Sequence, residues 1–385
     1  MTQPEVSPSA PITRRRVNQM LVGSAILGAP SLHAQSKNTI VLGQSAAFTG
    51  PAAQLGIQFH AGAKLFFDQL NAKGGVDGKT IEIRQLDDGY EPDRCAENTR
   101  KLIDQDVFAL FGYIGTPTSV AALPLATKAE TVFFAPFTGA MALRDPLNRF
   151  AFHMRASYND ETALIVRQLT NLGLKRIAVF YQNDAYGKAG LSGVNLALAA
   201  QALKPVATAT VERNSVDVAK AVETINAAQP HAVIQISAYA SCAAYIKAAR
   251  KANFGGTFYN VSFVGAQALS DALGPEGAGV AISQVVPSPY SASRPMAREL
   301  LAAMATGGNK VKANFSSMEG FMAAKLFAEG LKRAGTRTPS GLITGLESIR
   351  NWSMGGFNVS FNAGNHVASN YAELSMISAD GSIRA

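Results

Sequence analysis

Side chains able to make or break bonds are scarce in this sequence, and their spacing argues against a metal or covalent centre. Beyond residue 34 the histidines are His60, His153, His231 and His366, too far apart for any helical or hairpin ligand motif, and neither Cys95 nor Cys242 adjoins one. Structural roles are expected for these histidines, and neither a metal nor another cofactor is called for. Asp87 and Asp88 form the most conspicuous carboxylate pair. Such a pair does acid–base work when its surroundings split the two pKa values. It also follows a β-rich run ending at Leu86 and leads toward Pro92 at a helix start, where negative charge is favourable, so a structural role is the simpler expectation. No G-x-x-x-x-G-K phosphate loop, G-x-S-x-G elbow or G-x-G-x-x-G fingerprint occurs past residue 34. Thr116-Pro117-Thr118 reads at first sight as a helix start, with Thr116 as its cap.

The elements that carry these residues alternate in a regular way. Thr39 to Gln44 is a short β-rich run, and from Ala53 to Ala72 the apolar positions Leu55, Phe59, Ala63, Phe66, Phe67 and Leu70 recur at helical spacing. Gly74-Gly75 stops that helix, Asp77-Gly78 turns the chain, and Lys79 to Leu86 alternates as the next strand. Helices over Pro92 to Gln105 and Ser119 to Lys128 then interleave with strands over Val107 to Phe111 and Thr131 to Ala135. After the irregular stretch Thr138 to Ala156 the alternation restarts and runs to Val261. Two doubly wound α/β lobes with parallel sheets are the expectation. Helical patterns over Arg294 to Ala305 and Ser316 to Ala334 follow, and they are expected to return to the first lobe.

With 385 residues, 47% hydrophobic and 16% charged, the chain can bury a core larger than one ordinary domain needs. The net charge of +8 is spread in ones and twos, so nucleic-acid binding is not expected. Its densest basic run, Arg14 to Arg16, precedes an apolar stretch from Met20 to Leu32 and the small residue Ala34. Residues 1–34 therefore read as an export signal, with the remaining chain beginning near Gln35. Thr13-Arg14-Arg15-Arg16-Val17 resembles the twin-arginine signal, although Val17 stands where Phe is usual; general secretion is the alternative route. Past Leu32, no segment approaches the ~20 uninterrupted apolar residues of a membrane span. No Cys near the cleavage point offers a lipid anchor.

Four pieces then fall in an order and spacing that resemble the leucine/isoleucine/valine-binding protein family of type I periplasmic receptors. They are Phe48-Thr49-Gly50-Pro51, Gln54-Leu55-Gly56, Asn71 to Gly78, and Asp87-Asp88. Gly112-Tyr113-Ile114-Gly115-Thr116, Ala135-Pro136 and Asn183-Asp184-Ala185-Tyr186-Gly187 extend the likeness over essentially the whole exported chain. The resemblance implies an α/β fold of the periplasmic binding protein type I, with two Rossmann-like lobes joined by a three-strand hinge. The first lobe would comprise 36–155 plus 287–352, and the second 156–286 plus 353–385. It further implies a non-enzymatic, monomeric periplasmic receptor that closes over a small solute and presents it to the membrane permease of an ABC importer.

Carried over residue by residue, the resemblance places Ile114, Gly115 and Thr116 in a loop that donates to a ligand carboxylate; for Thr116, capping and ligand contact are compatible. Phe137, Thr138 and Gly139 fall in the next ligand loop, and Leu55 is either pocket wall or core. Tyr186 and Tyr239 would clamp the ligand from the second lobe, a task suited to a phenol's apolar face and polar tip. Two departures matter. Ser262 and Phe263 stand where amino-acid receptors carry an acid for the ligand ammonium, and Gly139 replaces a hydroxyl. Leaving an ammonium without an acid costs several kcal/mol, so a carboxylate lacking an α-ammonium competes with an amino acid as ligand. A sensor delivering its ligand to a signalling receptor, and an exported hydrolase or transferase, are the alternative functions; the second would need a nucleophile beside a base or metal in the cleft.

Overall fold

The computed structural model describes residues 1–2, 38–306 and 312–385. The export signal read over residues 1–34, including Arg14 and Arg15, otherwise lies outside the described residues.

Strand β1 (Thr39–Ala46) is buried along seven of its eight residues, the pattern of a central parallel strand covered on both faces. Helix α1 (Ala53–Ala72) buries Leu55, Phe59, Ala63 and Phe67. There follow β2 (Thr80–Asp87), α2 (Pro92–Asp104), β3 (Ala109–Phe111), α3 (Thr116–Lys128), β4 (Phe133–Phe134) and β5 (Ala151–Phe152). These strands form one wholly parallel sheet in the order β2-β1-β3-β4-β5.

The chain then crosses to a second unit of the same design. Its elements are α4 (Tyr158–Asn171), β6 (Ile177–Gln182), α5 (Ala185–Ala199), β7 (Thr208–Val211), α6 (Ala219–Ala227), β8 (Ala232–Ile236), α7 (Tyr239–Lys251), β9 (Thr257–Asn260), α8 (Ala266–Leu273) and β10 (Ala281–Gln284). Its parallel strands run β7-β6-β8-β9-β10, repeating the first sheet's winding position for position. In each sheet the order reverses beside the first strand, which opens a crevice at the carboxyl edge.

Helices α9 (Pro295–Thr306), α10 (Phe315–Arg333) and α11 (Pro339–Glu347) come next, with a small hairpin of β11 (Trp352–Met354) and β12 (Phe357–Val359). Strands β13 (Glu373–Ile377) and β14 (Ile383–Arg384) finally join the second sheet as an antiparallel edge beside β10. Helix α10 packs on α1 at backbone distance. A Cβ on Gly62 would lie 1.9 Å from the Ser317 carbonyl oxygen, and one on Gly320 1.9 Å from that of Phe59. Beneath them Phe59, Phe67, Phe111, Phe134 and Phe327 form a continuous aromatic core.

The chain passes between the two sheets after β5, after β10 and between β12 and β13. The first and last of these crossings run side by side: the His153 N–H donates to the His366 carbonyl and the Ala368 N–H to that of His153, both at 2.8 Å. The short strand β5, helices α8 and α11, strand β10 and the closing strands were not anticipated from periodicity; most are too brief to show a period.

Candidate ligand-binding site

The loops at the carboxyl edges of the two sheets meet in one buried cluster. On the first lobe, Ile114 bridges Phe137, and the Gly115 N–H donates to the Phe137 carbonyl at 3.3 Å. The Thr116 and Thr138 hydroxyls bond each other at 2.6 Å. Arg144 braces this loop from behind, donating to the carbonyls of Thr138, Ala140 and Arg155. The expected cap of α3 is corrected here: Gly115, at φ 101°, is the N-cap, and Thr116 is the first helical residue with its hydroxyl turned to Thr138. Only glycine holds that backbone at low cost, and the helix therefore starts three residues earlier than its apolar periodicity suggests.

Arg155 lies at the first crossing, wholly buried. Its Nε and Nη2 donate to the two oxygens of Glu319 on α10 at 2.9 and 2.8 Å, while its guanidinium sits 4.0 Å over the Phe137 ring. Burial works against this charge, but Glu319 more than offsets it and raises the arginine pKa. Nη1 has no hydrogen-bond partner. Gly139 makes room for Tyr158: a Cβ there would lie 2.6 Å from the Tyr158 nitrogen, so no hydroxyl-bearing side chain fits that position.

The second lobe supplies Tyr186, on the first turn of α5, where Asp184 caps its N–H at 2.9 Å. Its ring lies 5.4 Å from that of Tyr158 and 4.5 Å from that of Phe263. Phe263 in turn reaches Phe137 and Tyr90, each at 5.8 Å. Burial pushes the Tyr186 phenol pKa well up, and its hydroxyl has no partner. Leu55, on the first turn of α1, touches the opposite lobe, for a Cβ on Gly265 would come within 2.5 Å of its Cδ2. Tyr239 stands at the start of α7, half-buried, where it reaches the backbone of Gln54 rather than the aromatic cluster.

A buried carboxylate does lie beside Ser262, on another element. Glu161, on α4, is fully buried; its Oε2 accepts from the Ser262 N–H at 2.7 Å and the Ser283 hydroxyl at 2.6 Å, and its Oε1 has no partner. Burial, partly offset by Arg155 and these bonds, pushes its pKa up. The signal was legible in Ser157-x-x-Asp160, a capping box that starts α4 at Tyr158 and so sets Tyr158 and Glu161 one turn apart on one face. Tyr90, Arg155 and Tyr158 are the other cluster members that motif comparison missed.

The pair Asp87 and Asp88 is structural. Asp87 ties the loop after β1 to that after β2 by accepting from Phe48, Thr49 and Gly89. Asp88 accepts from the Ser45 hydroxyl at 2.7 Å and the Tyr90 N–H at 2.8 Å, and burial pushes its pKa up to about 6. Both cysteines are free and buried, Cys95 on α2 and Cys242 on α7.

A profile described as periplasmic binding protein matches residues 39–382. The chain belongs to the periplasmic binding protein family. Among solved members, a possible leucine/isoleucine/valine-binding protein from Rhodopirellula baltica superposes with a TM-score of 0.85 at 35% identity, over 90% of this chain and 96% of that one. A substrate-binding periplasmic protein from Ralstonia solanacearum gives 0.85 at 30% identity, over 90% and 99%. An amino acid binding protein of Pseudomonas aeruginosa is 26% identical over 170 residues, 44% of this chain and 45% of that one. The chain spans about half the length of the curated relatives it matches, 45 and 56% for the first two. As in its relatives, the two α/β lobes are those of a type I periplasmic binding protein. Among its described residues, no helix is long and apolar enough to cross a membrane.

Proposed function

We propose that this periplasmic binding protein is the extracytoplasmic, non-enzymatic receptor of an ABC importer, and that its solute is an amino acid with an apolar side chain. The observation that carries the reading is that Glu161 Oε1, Arg155 Nη1 and the Tyr186 hydroxyl are all buried without a hydrogen-bond partner, while Glu161 interacts electrostatically with both Arg155 and Tyr186. Buried polar groups are rarely left so, and their charges complement an ammonium at one end of a ligand and a carboxylate at the other. In this reading Glu161 with Ser262 receives the ammonium. Ile114, Gly115, Thr116, Thr138 and Gly139 shape the carboxylate end, while Leu55, Phe137, Tyr186 and Phe263 pack the side chain, and Tyr239 closes the mouth. The lobes divide at 36–155 plus 287–352 and 156–286 plus 353–385, the receptor acts as a monomer, and the closed form docks on a membrane permease.

With Glu161 in that role, this reading favours an amino acid over the plain carboxylate that competed with it. Calorimetry with leucine, phenylalanine and their deaminated analogues is the test. At least a tenfold preference for the amino acids, lost in Glu161→Gln, is expected. Equal or tighter binding of the deaminated acids would show that the site takes plain carboxylates.

A further inference from the structure

We infer that Tyr90 is a size-setting wall of the ligand pocket, placed by the first lobe and completed by the second. The inference rests on the receptor reading above only for its ligand class.

Tyr90 follows β2, in a loop to which motif comparison assigns no ligand role, yet its side chain is entirely buried among residues of the candidate site. Its backbone is left-handed at φ 65°, a costly conformation for a bulky aromatic residue. The turn that imposes it is pinned twice by Asp88, whose Oδ1 accepts from the Tyr90 N–H at 2.8 Å and whose carbonyl accepts from the Glu91 N–H at 2.9 Å. Strain of this kind persists where surrounding structure over-determines it, and here it aims the ring into the cleft. The ring occupies the space that Gly115 leaves free, since a Cβ there would lie 2.2 Å from Tyr90 Cε2. Its other side meets Phe263 of the second lobe at 5.8 Å, and its hydroxyl accepts from Gln182 Nε2 at 3.3 Å.

A side chain wedged between a ligand loop and the opposing lobe limits how far a bound solute can extend before closure is blocked. Because the Phe263 and Gln182 contacts form only when the lobes meet, the limit acts at closure and not at first encounter.

The test compares wild type with Tyr90→Ala, Tyr90→Leu and Tyr90→Phe. Calorimetry with leucine, phenylalanine and homophenylalanine should show Tyr90→Ala and Tyr90→Leu shifted toward the longest ligand by tenfold or more relative to leucine. Tyr90→Phe, which keeps the ring, should weaken all three alike with their ranking unchanged. Independently of any amino acid, p-cresol, the side chain removed, should raise the melting temperature of Tyr90→Ala and leave that of wild type unmoved. Should Tyr90→Ala not fold, Tyr90→Leu with the same probes carries the decision. Wild-type leucine binding with an unchanged ranking in the variants, or folded Tyr90→Ala indifferent to p-cresol, would overturn the inference. Failure of wild type to bind any of the amino acids, with p-cresol still selective, would overturn the ligand class and leave the wall standing.

Discussion

In the proposed site, Tyr186 offers a test that separates ligand binding from folding at a single atom. Its buried hydroxyl has no partner within the protein, so Tyr186→Phe should leave the ligand-free melting temperature unchanged or slightly higher, since replacing an unsatisfied polar atom by an apolar one removes a desolvation cost. Affinity should fall by about 1 kcal/mol, roughly fivefold, if that hydroxyl meets the ligand; calorimetry beside a thermal melt measures both. Asp88 makes a different residue-scale prediction. Its folded pKa of about 6 lies above the ordinary carboxyl value because burial disfavours the charge. The native state then holds the proton more tightly than the unfolded chain, so this residue's contribution to stability is greatest below pH 4. It declines as pH rises toward 6 and is flat above. Asp88→Asn should lose that slope, a difference of about 1–3 kcal/mol between pH 4 and 7 relative to wild type, read by urea unfolding at each pH.

Among the elements, α1 and α10 pack at backbone distance, and glycine makes it possible. Gly62 and Gly320 each face a carbonyl oxygen at a distance no Cβ tolerates, and Gly320→Ala should cost about 2–3 kcal/mol or more through helix displacement. Gly335→Ala, where a Cβ would meet nothing within 4 Å, serves as the control and should stay within about 0.5 kcal/mol of wild type. Urea titrations of the two variants decide it. The same helix carries Glu319 to Arg155, so the α1–α10 contact also sets the position of a guanidinium in the candidate site.

For the whole molecule, the two lobes also meet in a polar seam at the lip of the cleft, outside the buried cluster, and the proposed closure would draw on both. Arg213 reaches Glu91 at 2.8 Å and Asp184 at 3.5 Å, and Asn214 donates to the Gly89 carbonyl at 3.1 Å and to Glu91 at 2.7 Å. The ion pairs are partly exposed, so each contributes modestly, about 0.2–1 kcal/mol. Arg213→Ala should therefore raise Kd about two- to fivefold, mostly through faster dissociation, as stopped-flow measurement would show. Small-angle scattering should find both proteins more compact at saturating solute, with the variant needing more of it. An unchanged radius of gyration would contradict closure around a ligand that touches both lobes.

Local patterning alone determined the two α/β lobes: Ala53–Ala72 came out to the residue, because a long amphipathic helix buries one face in any such fold. Motif order pointed to the loops of Ile114, Thr116 and Phe137, which do converge. Only the tertiary structure decided which side chains share the cleft. Glu161 lies 101 residues from Ser262, and Arg155 lies 164 from Glu319; Tyr90 meets Gln182 from 92 residues away. Periodicity records which face of an element is buried, but it holds nothing about which distant element will cover that face. A buried charge or phenol is defined by that covering partner, so its role became visible only once the chain had folded back on itself.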